Sequence, residues 1–204
     1  MSGTRRREIA LAGHTGDEAT ARDALHDDDP AVRATALGAL VRLRAATADD
    51  VRGALHDADP DVRRRAAEDA ARSGTDVGAD LVALLDDADP GVVEAAAFAL
   101  GELSPPEPSA VAALAAVATH DDVLVREAVV AALGSIGDDA GLPAVLRATE
   151  DVATVRRRAV LALSAFDGPD VEAALQRLAT DRDRQVRQAA EDLLHGWGTT
   201  SGSP

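Results

Sequence analysis

The sequence has no cysteine, no tyrosine, no lysine and no asparagine, and its aromatic side chains are limited to Phe98, Phe166 and Trp197. Without cysteine there can be no disulfide, no thiolate nucleophile and no zinc–sulfur site. With almost no rings, a core must be built from alanine, valine and leucine brought close through small side chains. That suits packed helices, where alanine loses no side-chain entropy. The basic side of the charge balance is also thin: 21 basic residues, all arginine, stand against 36 acidic ones, for a net charge of −15. Binding to nucleic acid or to an anionic membrane needs a basic footprint, so neither is expected. The longest apolar run, AVAALAAVA at 110–118, is far short of a membrane span. The segment MSGTRRREIALAG at the start lacks the apolar stretch of a signal peptide. These features predict a soluble, cytoplasmic, monomeric protein, and the acidic, lysine-free surface suits a halophilic setting.

What is present is a repeat. Val32, Val62, Val92, Val125, Val155 and Val186 head six similar blocks spaced 30, 30, 33, 30 and 31 residues apart. Counting from each valine, positions +4, +8 and +11 are apolar in nearly every block: Ala36, Leu40, Leu43; Ala96, Leu100, Leu103; Val129, Leu133, Ile136; Ala159, Leu163, Phe166; Ala190, Leu194, Trp197. This is helical spacing. The second block, Ala66, Ala70, Ser73, is weaker. A shorter amphipathic segment precedes each block, for example DDVRGALHD at 49–57 and VEAALQRLATD at 171–181. Thr47 with Asp50 has the pattern of a capping box. Asp29-Pro30, Asp59-Pro60 and Asp89-Pro90 place an N-capping acid before a proline at the first helical position, where proline sacrifices no hydrogen bond. Each unit is therefore helix–turn–helix, and it must stack on its neighbours to bury its stripe. The prediction is an all-α fold, an α-solenoid of about six repeats.

The pattern D-x-D-P-x-V-R-x-x-A-(A)-x-A-L-G-x-L resembles the HEAT-repeat family, in particular the short bacterial and archaeal type found also in phycobilisome lyases. The resemblance covers roughly residues 15–197. It divides the chain into an N-terminal capping helix (1–14), an array (15–197, with repeats at about 15–45, 46–75, 76–104, 105–138, 139–167 and 168–197) and a disordered tail (198–204). It further implies a ladder between neighbouring repeats, with turn acids Asp29, Asp59, Asp89, Asp122 and Asp183 facing Arg33, Arg63, Arg126, Arg156 and Arg187. Val93 stands where the third arginine belongs and Val152 where the fifth acid belongs, so breaks are expected there. The same acids also stand four residues before arginines, at the spacing of i,i+4 pairs: Asp29–Arg33, Asp59–Arg63, Asp122–Arg126 and Asp183–Arg187. Proline-rich LSPPEPS at 103–109 lengthens the connection between the third and fourth repeats.

His26-Asp27, His56-Asp57 and His120-Asp121 recur in the turns and invite a metal reading. Neighbouring repeats stack about 10 Å apart, too far for two such histidines to share an ion, so solvated turns are expected. A family relative, the di-iron deoxyhypusine hydroxylase, carries V-R-His-Glu-Ala inside its repeats. Here the matching positions read VRAT, VRRR, VVEA, VREA, VRRR and VRQA, so only Glu94 and Glu127 remain and no histidine accompanies them. No G-x-S-x-G, phosphate-binding loop or dinucleotide fingerprint occurs. No catalytic, metal or cofactor residue is expected. The +2 and +6 positions point away from the core stripe, and they would place Arg64, Glu94, Phe98, Glu127, Ala131, Arg157 and Leu161 along a concave face as an apolar strip edged by charge. The leading expectation is a non-catalytic scaffold that binds a protein or peptide there. The alternative is a module resembling the phycobilin lyases, which handle a chromophore. A likeness to repeat-type DNA glycosylases is disfavoured by the charge.

Overall fold

The computed structural model describes residues 2–200, with the side-chain surroundings of residues 3–196. Among these residues there are thirteen α-helices and no strand. Long helices alternate with short ones. The long helices are α1 (Ser2–Thr15), α3 (Pro30–Leu43), α5 (Pro60–Ser73), α7 (Pro90–Glu102), α9 (Val123–Ile136), α11 (Ala153–Leu163) and α13 (Arg184–Thr200). The short ones are α2 (Glu18–Asp23), α4 (Ala48–Leu55), α6 (Gly78–Ala83), α8 (Ala110–Val117), α10 (Leu142–Ala148) and α12 (Pro169–Leu178). The chain divides into two compact units, Met1–Glu107 and Pro108–Pro204.

In the first unit α1, α3, α5 and α7 pack side by side, and α2, α4 and α6 each cover the long helix that follows. In the second, α9, α11 and α13 form the row, with α8, α10 and α12 covering them. The helix expected as a lone cap is thus a member of the long row. Ile9 and Ala12 of α1 are buried against α3. The expected tail begins inside α13, which continues to Thr200. Residues 201–204 and the side chain of Trp197 lie outside the described residues.

The turns follow from capping chemistry. Asp29, Asp59 and Asp89 accept hydrogen bonds from the backbone N–H of Ala31, Asp61 and Gly91, with proline at the first helical position in each case. Thr47 and Asp50 form the capping box expected of them. Helices α5 and α9 end on Gly74 and Gly137, both at φ 68°, the left-handed conformation that glycine adopts freely.

The core is wider than the apolar stripe read from the sequence. Positions +4 and +8 are buried throughout, from Ala36 and Leu40 to Ala159 and Leu163. Positions +5 and +7 are equally buried: Leu37 and Ala39, Ala97 and Ala99, Val130 and Ala132. A long helix in the middle of a row is covered by its own short helix and by long neighbours on both sides, so it buries more than one face. Small residues make the row possible. At Gly134 a Cβ would stand 2.7 Å from both the Cα and Cβ of Ala162 on the next helix, a close approach that leaves no room for a side chain.

Candidate functional site

Each unit presents two surfaces with chemistry: the turns, where arginines join successive repeats, and the open face of the long helices. In the turns the acid that receives each arginine is not the one expected. Arg33 donates through Nε and Nη2 to Asp57 at 2.8 and 2.7 Å, and Arg63 does the same to Asp87 at 2.7 and 2.9 Å. In the second unit Arg126 is paired with Asp151 and Arg156 with Asp181, again through two bonds each. The expected partners Asp59, Asp89, Asp122 and Asp183 lie two residues further on, and their carboxylates receive the first N–H groups of the helix. A side chain aimed along its own helix N-terminus cannot also reach the previous repeat, whereas the acid two residues earlier points across.

Each rung arginine is also tied to its own turn. Nη1 of Arg63 donates to the carbonyls of Asp57 and Ala58 at 2.9 and 3.1 Å. The i,i+4 pairing read from the sequence is thereby corrected for Arg63, whose guanidinium spans from its own turn carbonyls to Asp87. Asp57, expected in solvent, is largely enclosed: it accepts from Arg33 and from the N–H of Asp59. The guanidinium beside it holds the carboxyl of Asp57 below the usual carboxylate range, and the same holds for Asp87, Asp151 and Asp181 beside Arg63, Arg126 and Arg156. The break expected at Val152 does not occur, because Asp151 next to it takes the rung; what is lost is the cap, since Val152 offers no side-chain acceptor. At the other expected break both members differ. Val93 is buried in place of an arginine, and His120 stands where the other turns carry the rung aspartate. His120 Nδ1 still accepts the N–H of Asp122 at 3.0 Å, so it does the turn's local work in place of the aspartate. Arg187, at the last position, bonds the carbonyls of Asp181 and Arg182.

The short helices carry a second set of links that the sequence reading missed. Arg22 reaches Asp50 at 2.6 Å and Arg52 reaches Asp80 at 3.2 Å, both 28 residues apart. The matching interval was a readable signal. Also missed was Asp69, which is buried at the +7 register that holds alanine in α3, α7, α9 and α11. Arg65 neutralises it through Nε at 2.8 Å and Arg72 at 2.5 Å. Opposite it Gly38 leaves the space that Arg65 occupies, since a Cβ there would meet Nη2 at 3.1 Å.

On the open face of the first unit, Phe98 is 57% exposed and Glu94 is half-buried beside it. Arg64 on α5 is held by Asp61 at 2.9 Å and Glu68 at 3.2 Å. On the open face of the second unit, Leu161 is 50% exposed, with Glu127 and Ala131 on α9 half-buried and Arg157 exposed. Leu124, one turn before Glu127 and also exposed, belongs to the same helix face and was missed. A groove of about 580 Å³ runs between α11 and α13, with Leu161 and Arg157 on one wall and Arg184 and Gln188 on the other. His26 and His56 are exposed, as solvated turns require. No group of three or more histidines and acids among the described residues is arranged to hold a metal ion.

Residues 78–153 match the family model for HEAT repeats. That segment is similar to HEAT repeats. Solved structures extend the likeness in fold over most of its length. An engineered protein is 21% identical over 90% of this chain and 97% of its own, with a TM-score of 0.65. A designed armadillo repeat protein in complex with the peptide (KR)4 is 16% identical over 87% and 98%, with a TM-score of 0.67. The complex of CpcE and CpcF of phycocyanin lyase from Nostoc sp. PCC7120 is 26% identical over 85% and 74%, with a TM-score of 0.64. No curated protein matches the sequence. In this helical-repeat array the long helices form the repeated surface, and no described helix is long and apolar enough to cross a membrane.

Proposed function

We propose that this chain is a non-catalytic HEAT-repeat scaffold that binds a protein or peptide on the open face of its long helices. One observation carries the reading. The +6 register places an exposed Phe98 in the first unit and an exposed Leu161 in the second, each beside charged neighbours. A large apolar side chain left in water within a charged rim is the composition of an interface anchor. A designed armadillo repeat protein of similar fold is in complex with the peptide (KR)4, which supports a peptide as the occupant. The test is co-purification at the cell's own salt, with Phe98→Asp and Leu161→Asp as separate variants. The expected result is loss of the same defined partner with at least one variant while helicity by circular dichroism is kept. Retention of every partner by both variants overturns the proposal.

A second reading, chromophore handling, is favoured by the likeness to the CpcE–CpcF lyase complex. Stacking on a tetrapyrrole calls for aromatic side chains, and Phe98 is the aromatic residue exposed on the described surface. Incubation with a free bilin separates the two: a shifted, Phe98-dependent absorption band supports the lyase-like reading, and an unchanged spectrum removes it.

A further inference from the structure

Resting on the proposal that the open face binds a peptide, we infer that the α11–α13 groove of the second unit selects an acidic segment with an aliphatic anchor. The argument comes from an internal comparison. The triplet Arg-Arg-Arg directly follows the register valine in two long helices, as Arg63-Arg64-Arg65 in α5 and Arg156-Arg157-Arg158 in α11. In both, the first arginine is a rung, to Asp87 and to Asp181. In α5 the other two are neutralised by their own helix: Arg64 by Asp61 and Glu68, Arg65 by Glu68 and Asp69. In α11 the three positions that hold those acids are Thr154, Leu161 and Ala162. Arg157 is left with the amide oxygen of Gln185 at 3.1 Å. Neither Arg157 nor Arg158 has a carboxylate within ion-pair distance among the described residues, and the same is true of Arg184 across the groove.

The exchange replaces acids with an apolar contact and leaves exposed arginines around it. Leu161 projects at 50% exposure, with Ala189 and Leu193 of α13 along the same groove. The acids nearby have other work: Asp183 receives the N–H groups of Gln185 and Val186, and Asp192 is held by the Gln188 amide at 2.9 Å. Glu127 on α9 is the remaining carboxylate at the rim. On a chain of net charge −15, unpaired arginines clustered beside an exposed leucine complement a carboxylate-bearing segment with one buried aliphatic side chain. A nucleic acid fits less well, because no aromatic side chain among the described residues lines the groove as a platform for bases and the chain as a whole repels phosphate.

The probe is a fluorescein-labelled peptide of glutamates flanking one central leucine. It is compared with its lysine-for-glutamate counterpart and with oligothymidylate, by fluorescence anisotropy on the full chain. The expected result is binding of the glutamate peptide, weakened about tenfold or more by Arg157→Glu with Arg158→Glu, by Leu161→Asp and by added salt. Arg147→Glu, an exposed arginine on the covering helix α10 of the same unit, should leave the affinity unchanged. Equal or tighter binding of the lysine peptide or of oligothymidylate overturns the inference, as does indifference to the α11 variants. If Leu161→Asp still abolishes capture of a defined partner while the glutamate peptide fails to bind, the charge assignment falls and the scaffold reading stands. If the glutamate peptide fails to bind and neither Leu161→Asp nor Phe98→Asp loses a partner, both fall.

Discussion

Arg63 illustrates what one residue does in this array. Its guanidinium makes four hydrogen bonds, to two carbonyls of its own turn and to both oxygens of Asp87. Lysine offers a single point charge and could not span these acceptors, so the absence of lysine from the rungs follows from geometry as well as composition. Asp87 has a depressed pKa because the ion pair favours its charged form. The unfolded chain therefore binds more protons than the folded one in acid, and the stabilisation is present above the ordinary carboxylate value of about 3.9 and lost as pH falls below it. Protonating the many other acids relieves repulsion at the same time, so the effect should be read as a difference between two proteins. At neutral pH, Arg63→Ala should cost about 2 kcal/mol, as expected for enclosed hydrogen bonds to charge. That gap, measured by urea unfolding, should narrow progressively below about pH 4. A gap that stays constant down to acid unfolding would show that the pair contributes nothing. The sequence displayed the arginine at its fixed register but not its partner. In four of the turns, at 27/29, 57/59, 87/89 and 181/183, two aspartates stand two residues apart, and only the folded turn shows which is spent on the helix N-terminus.

At the scale of the element, helix positions were legible because caps and periodicity are local. Asp-Pro at 59–60 and the apolar spacing from Val62 determine α5 without reference to anything distant. What escaped was how closely helices approach, since +5 and +7 become core only when long helices flank both sides. Leucine and alanine look alike to a hydropathy pattern, but Ala162 faces Gly134 across a seam that admits no larger residue. Gly134 and Gly53 make the point testable. Both are helical, and both replacements by alanine improve intrinsic helix propensity by about 1 kcal/mol. At Gly53 in α4 a Cβ meets nothing within 4 Å, so Gly53→Ala should raise the stability by roughly that amount. At Gly134 the new atom collides with helix backbone, so Gly134→Ala should lower it by about 1–3 kcal/mol. Thermal melts of the two variants beside the parent should move in opposite directions; a shared upward shift would mean that the α9–α11 seam relaxes freely. The candidate face was partly legible for the same reason. At the +6 register Phe98 and Leu161 are exposed, but Gly38 at the same register is buried beneath Arg65.

At the scale of the whole chain, the arrangement of charge matters more than its sum. The net value is −15. Rung pairs such as Arg63–Asp87 and Arg156–Asp181 are well enclosed, with no member more than 17% exposed, so salt reaches them poorly. The excess carboxylates are on the surface: Asp28, Asp49, Asp61, Asp86 and Glu102 are all exposed. Their mutual repulsion acts across solvent, where the screening length falls from about 10 Å at 0.1 M to about 3 Å at 1 M salt. Screening should therefore remove a destabilising term while leaving the stabilising pairs largely intact, and the melting temperature should climb as potassium chloride is raised from low concentration to molar. The exposed, unpaired arginines of α11 point the other way for binding, since an acidic peptide held by Arg157 and Arg158 should dissociate over the same range. The folded array and its proposed ligand thus respond oppositely to one variable. Melting curves and peptide titrations across one potassium chloride series measure both. A melting temperature that falls toward molar salt would mean that the rungs, not the surface excess, dominate the electrostatics, and it would remove the argument for a halophilic surface.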